Sequence, residues 1–406
     1  KHLSRTDSSL KTANAIEITS ALYRILNYNS ICYDATVTKL SFFALSFLII
    51  LIGGSLRLIH LDTIPGALNR DELSIGYNAY SIYKTGLDEH GSGPYPLAIQ
   101  AFGEYKLPGL IYLTIPAIAL FDLTPFAIRL PTALLGVLTI PILGLFIFRI
   151  TTSRKISLVT MGLIATLPWA VHASRSAFEP ASALPFFFGG LSLILIAQST
   201  RKQYLSFLFG LGGAVVLGLA GWIYNSSFLL AIPSMIGILA WHWRSNINRI
   251  FSLLNISTLT LLSVILLGSL LSSWNVIESR TQTTLFDRIQ FHEQAFQYRQ
   301  AMQNAGFSAQ LATVLIRPEY LQVVALGQAY FSAFSPSLLL GGDSNPWHSL
   351  TDFGLPQFPV SVVLLMLLGV GWLVYTTPSY ASLLIGLLLF FPVTNGITND
   401  APIINR

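Results

Sequence analysis

The sequence predicts an all-α, polytopic membrane protein with about nine transmembrane helices. Of its 406 residues, 53% are hydrophobic and only 10% are charged, and the mean hydropathy is +0.62. A water-soluble domain of this length cannot bury so much apolar surface. The apolar residues form repeated stretches of about 17 to 25, the length that a helix needs to cross a bilayer. The backbone there must be helical because lipid offers it no hydrogen bonds.

Basic residues between the predicted spans set the expected topology. They mark every second connection, at Arg149 to Lys155, Arg201 to Lys202 and Arg244 to Arg249, and these loops are expected to face the cytoplasm. The net charge of +5 is divided among such small groups, so it indicates topology, and we expect no nucleic-acid partner. In chain order, the predicted spans cover residues 40–60, 129–149, 157–174, 181–198, 204–223, 228–243, 250–272, 357–376 and 379–396.

One short apolar stretch, Leu107 to Phe121, fits this topology only if it does not cross the membrane. It contains Pro108 and Pro116, and as a span it would place every later basic loop outside. We expect it to lie in the interface or to re-enter from the outer side, with an ordinary span as the alternative. Residues 61–128 then form one large external loop.

The expected domain organisation has four parts. Residues 1–38 form a cytoplasmic leader, and 39–273 form a transmembrane module that contains the loop 61–128. Residues 274–356 form a second long external loop, and 357–406 form C-terminal helices. The chain begins with Lys1 and ends directly after an apolar segment, so we expect a fragment. The single cysteine, Cys32, permits no disulfide framework.

Two adjacent carboxylates begin a helical pattern in the first external loop. Asp71 and Glu72 lie where the positive end of the helix dipole favours acidic side chains. One interpretation is a helix cap with a solvated neighbour. The other is a general base at the membrane surface, because an ionised carboxylate close to lipid needs a cationic partner.

Three cations near span ends are the candidate partners. Lys106 can extend to lipid headgroups or bind a phosphate. Arg129 begins a span on the external side, where the distribution of basic residues gives no topological reason for it. Arg175 lies four residues before Glu179, so these two can pair with each other or complete the site around Asp71.

A later turn-rich loop, from Gly341 to His348, offers a second group of polar residues. An aromatic side chain such as Trp347 can stack on a sugar. Asp343 and His348 are two possible ligands with no cluster around them, so they do not make a metal site. We expect no cofactor, with a divalent metal as the weakly supported alternative.

Six motifs occur in a fixed order: Pro65 with Asp71-Glu72, Gly86 to His90-Gly91, Tyr105-Lys106-x-Pro108, Arg129-Leu130-Pro131, Ser174-Arg175 before Phe178-Glu179-Pro180, and Gly342-Asp343 to His348. This ordered set resembles glycosyltransferase family 39, the protein O-mannosyltransferase-like and aminoarabinose-transferase-like enzymes of the GT-C class of membrane glycosyltransferases. The similarity runs from about residue 40 to the end of the chain. It implies a fold of many transmembrane helices whose first external loop carries juxtamembrane helices.

The resemblance implies an inverting transferase in the plasma membrane, with its active site on the extracytoplasmic face. The donor would be a sugar on a polyprenyl phosphate, and the acceptor a hydroxyl of a protein or glycolipid. Asp71, with Glu72 beside it, would be the candidate base, and Lys106, Arg129 and Arg175 would bind the donor phosphate. The expected substrate-binding residues are His90, Tyr105, Glu179, Asp343, Trp347 and His348.

Two other classes of protein remain open from the sequence. A transporter or flippase of a lipid-linked sugar would place ionisable groups near the middle of its spans, whereas the candidates here lie in loops and at span ends. A membrane scaffold without activity would leave Asp71 remote from Lys106, Arg129 and Arg175.

Overall fold

A computed structural model describes residues 37–102, 104–200, 202–224, 226–227, 230–231, 234, 288–332, 334–335, 360–376 and 378–390. All of the predicted leader except residues 37 and 38 lies outside the described residues. The whole of the predicted span 250–272 and most of the predicted span 228–243 lie outside them as well. Asp343, Trp347 and His348 also lie outside them.

The described chain is mostly helical, as predicted, with one short antiparallel hairpin that the sequence did not indicate. The hairpin strands are β1 (Ile99–Ala101) and β2 (Glu104–Lys106). The helices are α1 (Lys39–Leu58), α2 (Arg70–Thr85), α3 (Gly109–Phe121), α4 (Pro125–Thr151), α5 (Arg154–Thr166), α6 (Pro168–Arg175), α7 (Glu179–Ser199), α8 (Gln203–Ile223), α9 (Arg288–Asn304), α10 (Ala309–Leu315), α11 (Pro318–Ser332), α12 (Val360–Thr376) and α13 (Pro378–Phe390).

Four of the described helices, α1, α4, α7 and α8, are long and apolar enough to cross a membrane. Helices α5 and α6 together make a fifth candidate, but they meet at a bend of 56°. The predicted uninterrupted span 157–174 is therefore two helices, because Pro168 has no N–H group with which to continue α5. The total of about nine spans stays a prediction.

The short apolar helix α3 packs on α2 and on the first turns of α4. Its 13 residues reach about 20 Å, less than the thickness of the hydrocarbon layer. Its buried face joins that of α2 in one apolar cluster, which also includes the end of α8. Its members include Ile75, Ala79, Leu110, Ile111, Ile128 and Ile223, together with Ile99 of the hairpin. This cluster fixes α2 and the hairpin against the helix bundle.

The first predicted basic loop and the residues around Arg129 lie at opposite ends of α4. At one end, Arg154 donates to the carbonyl of Val37 over 2.9 Å, and Arg149 contacts the Ser199 hydroxyl. These contacts join the start of α1 to the connection between α4 and α5 and to the end of α7. Arg129 lies near the other end of α4, so the residues around it are separated from the basic loops by the length of that helix.

Candidate active site

A capping box fixes the first turn of α2, where both candidate carboxylates lie. The Asn69 side chain accepts a hydrogen bond from the backbone N–H of Glu72 over 2.8 Å, and the Glu72 carboxylate accepts one from the N–H of Asn69 over 2.9 Å. Reciprocal bonds of this kind satisfy two backbone donors that a helix start leaves without partners. They also hold Asp71 between the two bonded residues at the positive end of the helix dipole.

Asp71 and Lys106 meet at the surface. The Lys106 ammonium lies 2.5 Å from the Asp71 carboxylate, although the two residues are 35 positions apart. Lys106 ends β2, where it pairs with Ile99 of β1, and the buried Ile99 side chain holds the hairpin on the apolar cluster. The Asp71 side chain is 58% exposed and that of Lys106 is 12% exposed. The structure thus brings the predicted base to a predicted phosphate-binding cation, with the carboxylate open to solvent.

Glu72 faces the interior, where it pairs with Arg129. The Arg129 guanidinium donates to both carboxylate oxygens, over 2.8 and 3.3 Å, and neither side chain is more than 1% exposed. The N–H of Ala177 donates to the same carboxylate over 3.2 Å. Glu72 therefore accepts four hydrogen bonds from three parts of the chain, which is what an ionised carboxylate needs in order to be stable when buried.

Arg129 uses its remaining donors on the segment that precedes α2. It donates to the carbonyls of Leu61, Pro65 and Ala67 over 3.2, 2.7 and 3.2 Å. Together with the two bonds to Glu72, these occupy all five guanidinium N–H groups. A donor phosphate could bind Arg129 only by displacing these bonds.

Arg175 also binds backbone carbonyls, at the end of α1 and in the segment that follows it. It donates to Leu56, Ile59, His60 and Ile64 over 2.6 to 3.2 Å, and it is 7% exposed. The last carbonyls of a helix have no partner within the helix, and Arg175 supplies one at the end of α1. The phosphate-binding role expected of Arg129 and Arg175 stays a prediction that these contacts disfavour.

A third arginine, Arg57, was not among the predicted site residues. It is fully buried and donates to the carbonyls of Ile164 and Ala165 over 2.7 and 2.9 Å. The Ile164 carbonyl has lost its helical partner because the residue four positions later is Pro168. The sequence signal for Arg57 is a single arginine inside an apolar span, which is costly unless it is paired. We call Arg57, Arg129 and Arg175 the carbonyl-binding arginines.

The loop between α2 and β1 is anchored to α2 through Asn78. The side-chain amide of Asn78 donates to the Glu89 carboxylate over 3.1 Å, and its carbonyl oxygen accepts from the Glu89 N–H over 3.1 Å. The imidazole of His90 lies 3.9 Å from the Glu89 carboxylate and is 47% exposed. The substrate-binding role predicted for His90 stays a prediction, as does that of Tyr105 in β2 and of Glu179 at the start of α7.

Within the described residues, no three His, Cys, Asp or Glu side chains are grouped closely enough to hold a metal ion.

No protein-family model matches the sequence, and a search of curated proteins finds no match. Solved structures do match. The archaeal oligosaccharyltransferase AglB from Archaeoglobus fulgidus, in complex with an inhibitory peptide and a dolichol-phosphate, has a TM-score of 0.53 at 15% identity over 88% of this chain and 48% of that chain. The same enzyme tethered to an acceptor peptide that contains the NVT sequon has a TM-score of 0.50 at 14% identity, over 89% and 49%.

ArnT from Cupriavidus metallidurans bound to undecaprenyl phosphate has a TM-score of 0.41 at 15% identity, over 87% of this chain and 76% of that chain. The chain spans about half the length of the archaeal oligosaccharyltransferase, 48% in the first of these comparisons. At such identities the likeness is one of fold. The chain therefore has the fold of a GT-C class membrane glycosyltransferase, and its place in family 39 stays a prediction.

Proposed function

We propose that this protein is an inverting membrane glycosyltransferase, which moves a sugar from a polyprenyl-phosphate donor to an acceptor hydroxyl on the extracytoplasmic face. The observation that carries the proposal is the 2.5 Å contact between the exposed Asp71 carboxylate and the Lys106 ammonium. A base and a cation that meet at the surface of this fold match the charges that develop during such a transfer.

The reaction assigns one role to each group. The acceptor oxygen attacks the anomeric carbon and gives its proton to the Asp71 carboxylate. The bond from the anomeric carbon to the phosphate oxygen breaks, and its electron pair stays on the phosphate. Lys106 binds the negative charge that develops there. In the free protein the two side chains neutralise each other. Donor binding would therefore have to draw the long, flexible lysine side chain away from Asp71.

The position of Asp71 in the bundle supports an extracytoplasmic site. Asp71 adjoins Glu72, which pairs with Arg129 near the start of α4, whereas Arg149 and Arg154 lie at the other end of that helix. Basic loops face the cytoplasm, so the candidate site would face outward. Its walls are α2 and the hairpin, which rest on the apolar cluster.

The similar oligosaccharyltransferase supports the choice of donor. That enzyme was solved in complex with an inhibitory peptide and a dolichol-phosphate, so a protein of this fold can bind a lipid phosphate together with a peptide. For this chain we propose a polyprenyl-phosphate sugar as donor and a protein or glycolipid hydroxyl as acceptor. A transporter would place ionisable groups near the middle of its spans. The carbonyl-binding arginines instead lie near helix ends, so their positions do not favour that alternative.

The test is transfer activity of the full chain reconstituted in vesicles. A panel of polyprenyl phosphate sugars is supplied with peptide and lipid acceptors, and the products are identified by mass spectrometry. We expect Asp71→Asn to reduce the transfer rate about 10² to 10⁴-fold, because it removes the proton acceptor. Asp62→Asn is the matched control, since Asp62 is an exposed aspartate of the same loop, and it should retain activity. Full activity of Asp71→Asn would remove Asp71 from the mechanism.

A further inference from the structure

The departing phosphate needs more positive charge than Lys106 alone supplies. A sugar phosphodiester carries one negative charge, and the phosphate monoester that leaves carries about −1.5 to −2 near neutral pH. All five N–H groups of Arg129 are engaged in the protein interior, and Arg175 binds carbonyls. A second cation at the exposed side of the site must therefore come from elsewhere.

Arg70, which directly precedes Asp71, is such a cation. Its side chain is exposed, and its guanidinium carbon lies 3.8 Å from the centre of the Phe102 ring. Within the described part of the chain, this guanidinium has no hydrogen-bonding partner. A guanidinium stacked on a ring face keeps its edge free, and that edge can donate two parallel hydrogen bonds to a phosphate.

The backbone at Phe102 is unusual for an aromatic residue. Phe102 lies in the two-residue connection between β1 and β2 and has a φ of 57°, in the left-handed region that Gly and Asn favour. Its ring is nevertheless 52% exposed, so burial does not explain the conformation. A two-residue hairpin turn requires such a backbone, and at this position the ring lies against Arg70.

Arg70 and Asp71 thus contact the same hairpin at two points. Arg70 meets its tip at Phe102, and Asp71 meets its second strand at Lys106. Two cations therefore accompany the exposed carboxylate: Arg70, its neighbour in the chain, and Lys106, its ion-pair partner on the hairpin. Arg129 is buried and pairs with Glu72 on the inner side of α2.

We infer that Arg70 is a second phosphate-binding residue of the donor site and that Phe102 positions it. This inference rests on the proposed function. When the bond from the anomeric carbon to the phosphate oxygen breaks, Arg70 and Lys106 share the charge that the phosphate gains, while Asp71 holds the acceptor proton. Phe102 keeps the guanidinium stacked and directed outward between turnovers.

The experiment measures binding of polyprenyl phosphate, the leaving group, to the purified full chain in neutral detergent. Polyprenol, which lacks the phosphate, is the comparison ligand. We expect Arg70→Gln to weaken polyprenyl phosphate binding by about tenfold or more, the loss expected for a charge-assisted hydrogen-bonded pair. Polyprenol binding and the melting temperature should stay unchanged. Phe102→Leu should weaken polyprenyl phosphate binding by a smaller factor.

Lys84→Gln is the matched control, because Lys84 is also a cation on α2 that lies over aromatic rings, those of Tyr83 and Tyr80 at 4.9 and 5.7 Å. It should bind polyprenyl phosphate as the wild type does. Equal affinity of the wild type and Arg70→Gln would overturn the inference, as would an equal loss of polyprenol binding. If the wild type transfers sugar and only the Arg70 result fails, the proposed function stands. If the wild type binds no polyprenyl phosphate, both fail.

Discussion

Asp71 and Glu72 are neighbours in the first turn of α2, yet their carboxylates lie in opposite environments. Glu72 is buried and accepts hydrogen bonds from Arg129, Asn69 and Ala177. Asp71 is mostly exposed, and its carboxylate forms an ion pair with the Lys106 ammonium. On the inner side of α2, the Glu72 carboxylate thus fixes the backbone through its hydrogen bonds. On the outer side, the Asp71 carboxylate stays accessible to solvent.

The energies of the two ion pairs differ for the same reason. The outer pair is open to water at the Asp71 carboxylate, which is 58% exposed, and an ion pair at the surface contributes about 0 to 1 kcal/mol because water competes for the charge. Removing one partner of a buried pair costs about 3 to 5 kcal/mol, because the other charge stays in the interior without compensation. Glu72 and Arg129 should therefore affect folding first, and Asp71 and Lys106 should affect activity with little change in stability.

The largest effect on stability is expected for Arg129→Ala. The change leaves the Glu72 carboxylate and the carbonyls of Leu61, Pro65 and Ala67 buried without their donor. We expect the free energy of unfolding to fall by about 3 to 5 kcal/mol. The measurement is thermal or denaturant unfolding of the purified chain in detergent.

Lys106→Ala is the matched variant on the exposed side of the helix. It should change the free energy of unfolding by no more than about 1 kcal/mol while it weakens donor binding. A loss of stability as large as that of Arg129→Ala would contradict the division into an inner, structural pair and an outer, functional pair.

Part of this site could be predicted from the sequence, and part of it could not. The helix start at Asp71 and Glu72 follows from the local pattern, and Lys106 was expected near the carboxylates. Which carboxylate faces inward was not predicted, although Asn69 and Glu72 have the spacing of a capping box. The partners of Arg129 and Arg175 could not be found at all, because backbone carbonyls of an irregular segment have no side-chain signature.

The fold shows the same limit. Length and hydropathy predicted α1, α4, α7 and α8 as spans. The alternation of basic loops predicted that the apolar stretch of α3 does not cross, and this stays a prediction. The hairpin was missed because three-residue strands leave almost no pattern. The bend at Pro168 was missed because a proline in a membrane helix is tolerated when another group takes the freed carbonyl. Here that group is Arg57, which is far away in the sequence.

A smaller effect is expected where α3 meets α8. A Cβ atom at Gly109 would lie 2.5 Å from the backbone oxygen of Trp222, and backbone cannot move aside as a side chain can. Gly109→Ala should lower the free energy of unfolding by about 1 to 3 kcal/mol. It should also lower activity, because α3 supports α2 and the hairpin. Gly162→Ala is the control, since nothing lies within 4 Å of its Cβ position; it should be neutral or slightly stabilising. Equal stability of the two variants would show that this contact does not fix α3.

The smallest effect on stability separates capping from catalysis. Asn69→Ala removes the side-chain acceptor at the start of α2, at a cost of about 1 kcal/mol. Ser153→Ala removes the corresponding acceptor at the start of α5, at the opposite end of the bundle, at a similar cost. We expect both variants to lose comparable stability in unfolding measurements. Only Asn69→Ala should lower kcat, because the first turn that holds Asp71 against Lys106 then frays. If the two variants retain the same kcat, the capping box stabilises the helix without positioning the carboxylate, and Glu72 with Arg129 is sufficient to hold Asp71 in place.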